Sequence, residues 1–302
     1  MVLFCCVATA GSNDNPPPVT YRVSASEVRV TFFTTDENNR AVQEVQKEDF
    51  AIVDGETVVR NFRSLTRSAE ASLDLVILVD TSSSVAAHLQ PAVEQILQLT
   101  AQNGLVNRDH VSVVAFSDLQ ASLLCSGDCS SAQAIGNLRT LRAGGPTPLY
   151  DALAFAADFL SHRATPGVRP VLLLFSDGDD TISKISLRDA LQAVVATGAL
   201  VYTVDLNVLH SENSRRRNAG QSGRNTALQE LAFATGGRYF ATSRDAANAL
   251  QSALDDLRAS YVVTYDPPDR AEGFHPLRIL PKHNRNLQFH CRSGYYYAAT
   301  AP

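Results

Sequence analysis

Leu75–Val85 reads LVILVDTSSSV, an apolar run that stops on one aspartate and four hydroxyl side chains. Val76, Ile77, Leu78 and Val79 show no polar alternation. That is the pattern of a strand covered on both faces, as in the parallel sheet of an α/β domain. The polar string after it has two readings. Asp, Thr and Ser cap helices and make turns. Oxygens of these kinds also converge on hard metal ions. The rest of the chain decides between them.

Outward from this stretch, residues 72–258 alternate strand-like and helix-like segments. HVSVVAFSD, PVLLLFSDG and ALVYTVDLNV are apolar strands, with ASLLCS as a short one. AHLQPAVEQILQLTAQN, SAQAIGNLRTL, LYDALAFAADFLSHR, LRDALQAVVATG, TALQELAFATGG and DAANALQSALDDLRAS carry helical periodicity. The pattern predicts a doubly wound, mostly parallel sheet with helices on both faces, a Rossmann-like α/β fold.

The two ends read differently. Residues 20–66 are strand-like: VRVTFFT alternates, and FAIVDGETVVRNF reads as a hairpin around Asp54-Gly55. Residues 259–299 hold YVVTYDPP, HPLRILPK and LQFHCRSGYYYA, rich in aromatic and β-branched side chains. Each end is shorter than the roughly 55–65 residues at which small domains fold unaided. The expectation is one β-sandwich built from both ends, with the α/β domain inserted between them. Residues 1–19 read as a leader and linker: MVLFCCVATAGS resembles part of a signal segment, and NDNPPPV is Pro-rich. Export to the periplasm, cell surface or medium is expected over a cytoplasmic location.

Ligand sites of doubly wound sheets lie at the carboxyl ends of the parallel strands. Three loops at that edge are rich in oxygen. The first carries Asp80, Ser82 and Ser84; the second, GGPTP, carries Thr147; the third, SDGDD, carries Asp177 at its strand tip. Two carboxylates and three hydroxyls suit Mg²⁺ or Mn²⁺, and the lack of His or Cys among them disfavours zinc and copper.

These motifs, Asp80-x-Ser82-x-Ser84, GGxT ending in Thr147, and SDG with Asp177, resemble the metal-ion-dependent adhesion site of von Willebrand factor A-type domains. The resemblance implies that Ser82, Ser84 and Thr147 offer hydroxyl oxygens to a metal. It also implies that Asp80 and Asp177 act directly or through bound water. One coordination position would stay open for an Asp or Glu of a protein partner. The flanks KEDFAIVDGETVVRNF, LRASYVVTYDPP and RSGYYYA are similar to a bacterial, acidobacterial-type group of von Willebrand factor A-related proteins, mostly secreted. That similarity supplies no partner.

Composition narrows the function classes. A formal charge of −5 argues against a general nucleic-acid binder. No apolar stretch approaches the ~20 residues of a membrane span. Cys125 and Cys129 in CSGDC close a small disulfide loop if the compartment is oxidising, and the family pattern does not assign that loop. Cys291 reads as a buried thiol. Arg215, Arg216 and Arg217 lie in a Gly/Ser/Asn-rich loop after VYTVDLNV. They either steer an acidic ligand toward the cation or belong to a solvated loop with incidental charge. Asp205 is placed either behind the metal ligands or as a structural cap, and Asp179 and Asp180 shape the third loop.

The leading function is a non-enzymatic, cation-dependent protein-binding module for adhesion or scaffolding. A metal-dependent hydrolase or phosphotransferase is the first alternative. The sequence has no G-x-S-x-G elbow, P-loop or Rossmann glycine fingerprint. A scaffold with a purely structural metal is the second alternative.

Overall fold

The computed structural model describes residues 27–68, 71–101, 109–207, 226–240 and 248–297. At its centre is a six-stranded sheet of order β10-β9-β8-β5-β6-β7. Its strands are β5 (Ser72–Asp80), β6 (His110–Ser117), β7 (Gln120–Ser126), β8 (Val168–Ser176), β9 (Leu200–Asp205) and β10 (Tyr239–Phe240). All pair in parallel except β7, which returns antiparallel to β6 at the edge.

Successive β5 side chains point to opposite faces, and both faces are dry. Leu75, Ile77 and Val79 join one core with α1 (Leu89–Ala101), α2 (Ala132–Arg139) and α6 (Ala249–Arg258). Val76 and Leu78 join the other with α3 (Leu149–His162), α4 (Leu187–Thr197) and α5 (Thr226–Thr235). The unbroken apolar run is therefore the signature of a central strand with helices on either side. Local signals agree. Helix α4 opens on a Ser186/Asp189 capping box and closes on Gly198 in the left-handed region, φ 71°.

The ends of the chain form two four-stranded sheets around a shared core. One has order β13-β1-β11-β4, the other β14-β12-β2-β3. The N-terminal half supplies β1 (Val28–Thr35), β2 (Phe50–Asp54), β3 (Thr57–Val59) and β4 (Ser64–Arg67). The C-terminal end supplies β11 (Tyr261–Tyr265), β12 (Gly273–Pro281), β13 (Gln288–Cys291) and β14 (Gly294–Tyr297). Each sheet mixes strands from both ends, so neither end has a complete core by itself. Phe32, Phe50, Ile52, Val263, Tyr265 and Ile279 fill the space between them. The run LQFHCRSGYYYA is not one strand: it splits between the two sheets. The break falls where Ser293 N–H donates to Ala234 O at 3.1 Å. Gly236 packs there so closely that a Cβ would lie 2.4 Å from the Cys291 carbonyl carbon.

The sandwich is keyed to the α/β domain by contacts of this kind. Phe33 reaches from β1 into the α/β core and stacks on Tyr202 at 6.2 Å. Arg238 donates to Asn39 O at 2.7 Å. Buried Arg169 donates to Ser68 O and Leu257 O, tying the segment before β5 and the last turn of α6 to the start of β8. Among the described residues, no helix is long and apolar enough to cross a membrane.

Candidate metal centre

The parallel register brings the site together. Val79 pairs with Phe175 across β5 and β8, so Asp80 and Ser176 leave the sheet side by side. Ser176 Oγ donates to Asp80 Oδ2 at 2.6 Å, and the Ser82 N–H donates to Asp80 Oδ1 at 2.8 Å. Ser82 Oγ and Ser84 Oγ stand 3.0 Å apart. A short 3₁₀ turn, Ser83–Val85, follows, with Ser82 extended in front of it but making no side-chain cap bond. The helix-capping reading of this string therefore fails at Ser82: its hydroxyl faces Ser84 instead of the turn's free N–H groups. Thr81, between the candidate ligands, donates its hydroxyl to Phe116 O at 3.1 Å and serves the turn.

Backbone hydrogen bonds stitch the three loops together. Ser83 N–H donates to Gly145 O at 2.9 Å, and Gly144 N–H to Thr81 O at 2.8 Å. Gly145 sits at φ 73°, a conformation that side-chain-bearing residues rarely adopt. Thr147 is joined to the third loop: its N–H donates to Thr181 Oγ1 at 2.7 Å, and its carbonyl accepts from Thr181 N–H at 2.9 Å. The third loop is pinned in turn to the start of α3. Lys184 N–H donates to Asp151 Oδ1 at 3.1 Å, and Ser183 Oγ accepts from the Tyr150 and Asp151 N–H groups. Asp180 accepts from Ser183 Oγ and the Tyr150 N–H. Its role is to shape this loop, as expected.

Asp80, Ser82, Thr147 and Asp177 are buried, at 3% exposure or less, while Ser84 is exposed. Burial pushes the Asp80 carboxyl up to about 6; hydrogen bonds from Ser176 and Ser82 oppose the rise, and the Asp177 charge adds to it. Among the described residues, the groups that donate hydrogen bonds to Asp80 are neutral, and no Lys, Arg or His forms an ion pair with it. A buried carboxylate beside a second one, surrounded by hydroxyls, fits a hard divalent cation by its donor chemistry. Among the described residues no three His, Cys, Asp or Glu side chains are grouped to hold a metal. A cation here would depend on the hydroxyls as much as on the two carboxylates.

Asp205 takes the structural reading. Tyr239 OH donates to its Oδ2 at 2.7 Å and Asn207 N–H to its Oδ1 at 2.9 Å. Burial raises its pKa, with smaller contributions from Asp177 and Asp179. Cys125 and Cys129 form a disulfide with Cα atoms 5.3 Å apart, at the far end of β7 from the three loops. Cys291 is a free thiol pushed up to about 11 by burial. Arg215, Arg216 and Arg217 lie outside the described residues. The sequence reading missed Ser176 and Thr181. Ser176 stands next to Asp177 in SDG, but only the β5–β8 register shows that it faces Asp80.

A family model described as the von Willebrand factor type A domain matches residues 75–179, which contain all five candidate ligands. The magnesium-chelatase 67 kDa subunit of Chlorobaculum parvum is 26% identical over 171 residues, covering 55% of this chain and 28% of its own length. An uncharacterized protein of Mycobacterium tuberculosis, Rv2850c, is 30% identical over 149 residues, covering 47% of this chain and 24% of its own. The chain thus spans about a quarter of the length of these curated relatives. Among solved structures, the conserved hypothetical protein BatB from Bacteroides thetaiotaomicron matches with TM-score 0.45 and 19% identity, over 62% of this chain and 98% of that one.

Proposed function

This chain carries a von Willebrand factor type A domain, a family of metal-dependent protein-interaction modules, and on that premise we propose that it captures a protein ligand through a divalent cation. Asp80, Ser82, Ser84, Thr147 and Asp177 would hold Mg²⁺ or Mn²⁺ at the carboxyl edge of the sheet. When bound, the cation supplies a Lewis-acidic position that an Asp or Glu side chain of the partner completes. The observation that carries this reading is buried Asp80, which meets only neutral donors and lies beside Asp177.

The chain's own residues do the positioning. Ser176 and the Ser82 N–H fix the orientation of the Asp80 carboxylate. Thr181 holds the Thr147 backbone, and Ser84 is the exposed hydroxyl of the set. We read the module as binding and not catalytic because the domain family it matches is one of protein-interaction modules. The Cys125–Cys129 disulfide fits an oxidising compartment and hence export. The same reading divides the chain into residues 20–66 and 259–299 for the sandwich, 72–258 for the inserted domain and 1–19 for the leader.

The test is calorimetric titration of the purified chain with Mg²⁺, alongside Asp80→Ala and Thr147→Ala. The expected result is one bound ion per chain, lost in Asp80→Ala and weakened in Thr147→Ala, with folds unchanged by circular dichroism. Equal binding in all three proteins would refute the assignment. Turnover of phosphate esters by the metal-loaded chain would favour the hydrolase reading instead.

A further inference from the structure

Beside the three loops, on the α1/α2 side of the sheet, runs a groove of about 530 Å³ whose walls include Thr81, Ala115, Asp118, Leu119, Leu124 and Leu141. Thr81 belongs to both features: it lines the groove, and its chain neighbours Asp80 and Ser82 are candidate ligands. The groove is framed by the β6–β7 hairpin, whose two-residue turn is Asp118-Leu119. Asp118 is in the left-handed region at φ 56°. Leu119, at the tip, is 72% exposed. Tight hairpin turns ordinarily carry Gly, Asn or Asp, so an apolar side chain held out at this position has no explanation in the fold. Leu124 and Leu141 are half-buried and continue the apolar wall into the groove.

Resting on the proposed cation site, we infer that the groove is a second subsite for the same partner. It takes an apolar side chain a few residues away from the carboxylate that meets the metal. The partner is thus a protein segment pairing an acidic residue with an aliphatic one. Three observations support this occupant. The subsite is continuous with the metal loops through Thr81. Its volume lies within the usual range of ligand clefts, enough for more than one aliphatic side chain. Charge at the Leu141 end also favours an acidic segment: exposed Arg142 donates to Leu141 O at 2.9 Å, which seats its guanidinium at this edge, while Asp118 puts the wall's carboxylate at the hairpin end.

The test uses short synthetic peptides in Mg²⁺: one with a single Asp among glycines and serines, and a set adding one Leu at spacings of roughly two to four residues, the reach of an extended segment across the groove. Binding is read by fluorescence polarisation, and Mg²⁺ affinity separately by calorimetry. At the best spacing, the Asp-plus-Leu peptide is expected to bind about ten-fold tighter than the Asp-only peptide, as burial of one aliphatic side chain implies. Leu119→Ser, at a position 72% exposed, should remove most of that gain with the fold unchanged by circular dichroism. Ser122→Arg, which fills the groove from β7, should remove the rest. Both variants should bind Mg²⁺ and the Asp-only peptide as the parent does. Equal affinity for the two peptide classes, with Mg²⁺ bound, overturns the subsite and leaves the cation reading standing. Failure to bind Mg²⁺ overturns both. Self-association of the chain in Mg²⁺ that Leu119→Ser abolishes would assign the groove to a second copy and overturn the inference.

Discussion

Asp54 in the sandwich and Asp80 in the α/β domain are both carboxylates at the end of a strand, and both are almost fully buried, at 2% and 0% exposure. Their surroundings differ. Asp54 Oδ2 accepts from two phenols, Tyr265 OH at 2.8 Å and Tyr295 OH at 2.7 Å, whose rings sit in the sandwich core. His275 Nδ1 stands 3.8 Å from the other oxygen. Among the described residues Oδ1 makes no hydrogen bond, so the one group facing it is a potential cation. Asp80 also accepts from a hydroxyl and a backbone N–H, but the charged group beside it is a second carboxylate, Asp177, and no imidazole among the described residues pairs with it. Burial alone therefore does not mark a site. A buried carboxylate with a potential cation beside it completes a fold; one with a second carboxylate beside it leaves a role for a cation.

This contrast predicts opposite responses to mutation. Asp54→Ala strands two buried phenol hydroxyls and should lower stability by about 4 kcal/mol in urea unfolding. The loss should be the same in Mg²⁺ and in chelator. A Mg²⁺-dependent loss would mean that the sandwich and the three oxygen-rich loops are not independent.

A smaller effect separates the two regions by pH. His290 on β13 stacks on Phe33 at 4.6 Å and bonds Thr35 Oγ1 at 2.9 Å. Burial, helped by Arg238, pushes its pKa down to about 4. The unfolded chain takes up this proton near the ordinary imidazole value and the folded chain only near 4. Stability should therefore fall as pH drops from about 6.5 to about 4, by about 3 kcal/mol from this group. His290→Gln should flatten that window. A slope that survives the substitution would assign it to other groups.

Next in size, replacing both Cys125 and Cys129 by Ser opens a five-residue loop and should cost about 2 kcal/mol in the chain-entropy account. Because the disulfide lies at the opposite end of β7 from the Asp118-Leu119 turn, Mg²⁺ affinity should not change. A changed affinity would show that the edge strand communicates with the loops.

Much of the α/β domain was legible because its strands announce themselves locally. LVILVD and PVLLLFSD are unbroken apolar runs, and the three oxygen-rich loops follow from where such strands end. The sandwich pairing was legible only as a size argument, since neither end could fold alone. The split of LQFHCRSGYYYA into β13 and β14 was not legible: each half is equally strand-like, and the break is set by Gly236 and Ala234 from a distant element. Ser176 was missed for a related reason. Its hydroxyl acquires a role only through a cross-strand register that no local pattern encodes. Asp205 carried two readings until Tyr239 OH, 34 residues away in sequence, was found on its carboxylate. What escaped the sequence was pairing at long range, not residue chemistry.

On the proposed function, Asp80 is built for a cation. The direct measurement is thermal or urea unfolding of the parent chain and Asp80→Ala, each in chelator and in Mg²⁺ at about a hundred times its dissociation constant. The account predicts that Mg²⁺ stabilises the parent by about 2.7 kcal/mol and leaves Asp80→Ala unmoved. In chelator, Asp80→Ala should be no less stable than the parent, because it removes a buried charge set beside Asp177. A parent indifferent to Mg²⁺, or an Asp80→Ala variant stabilised as much as the parent, would contradict it.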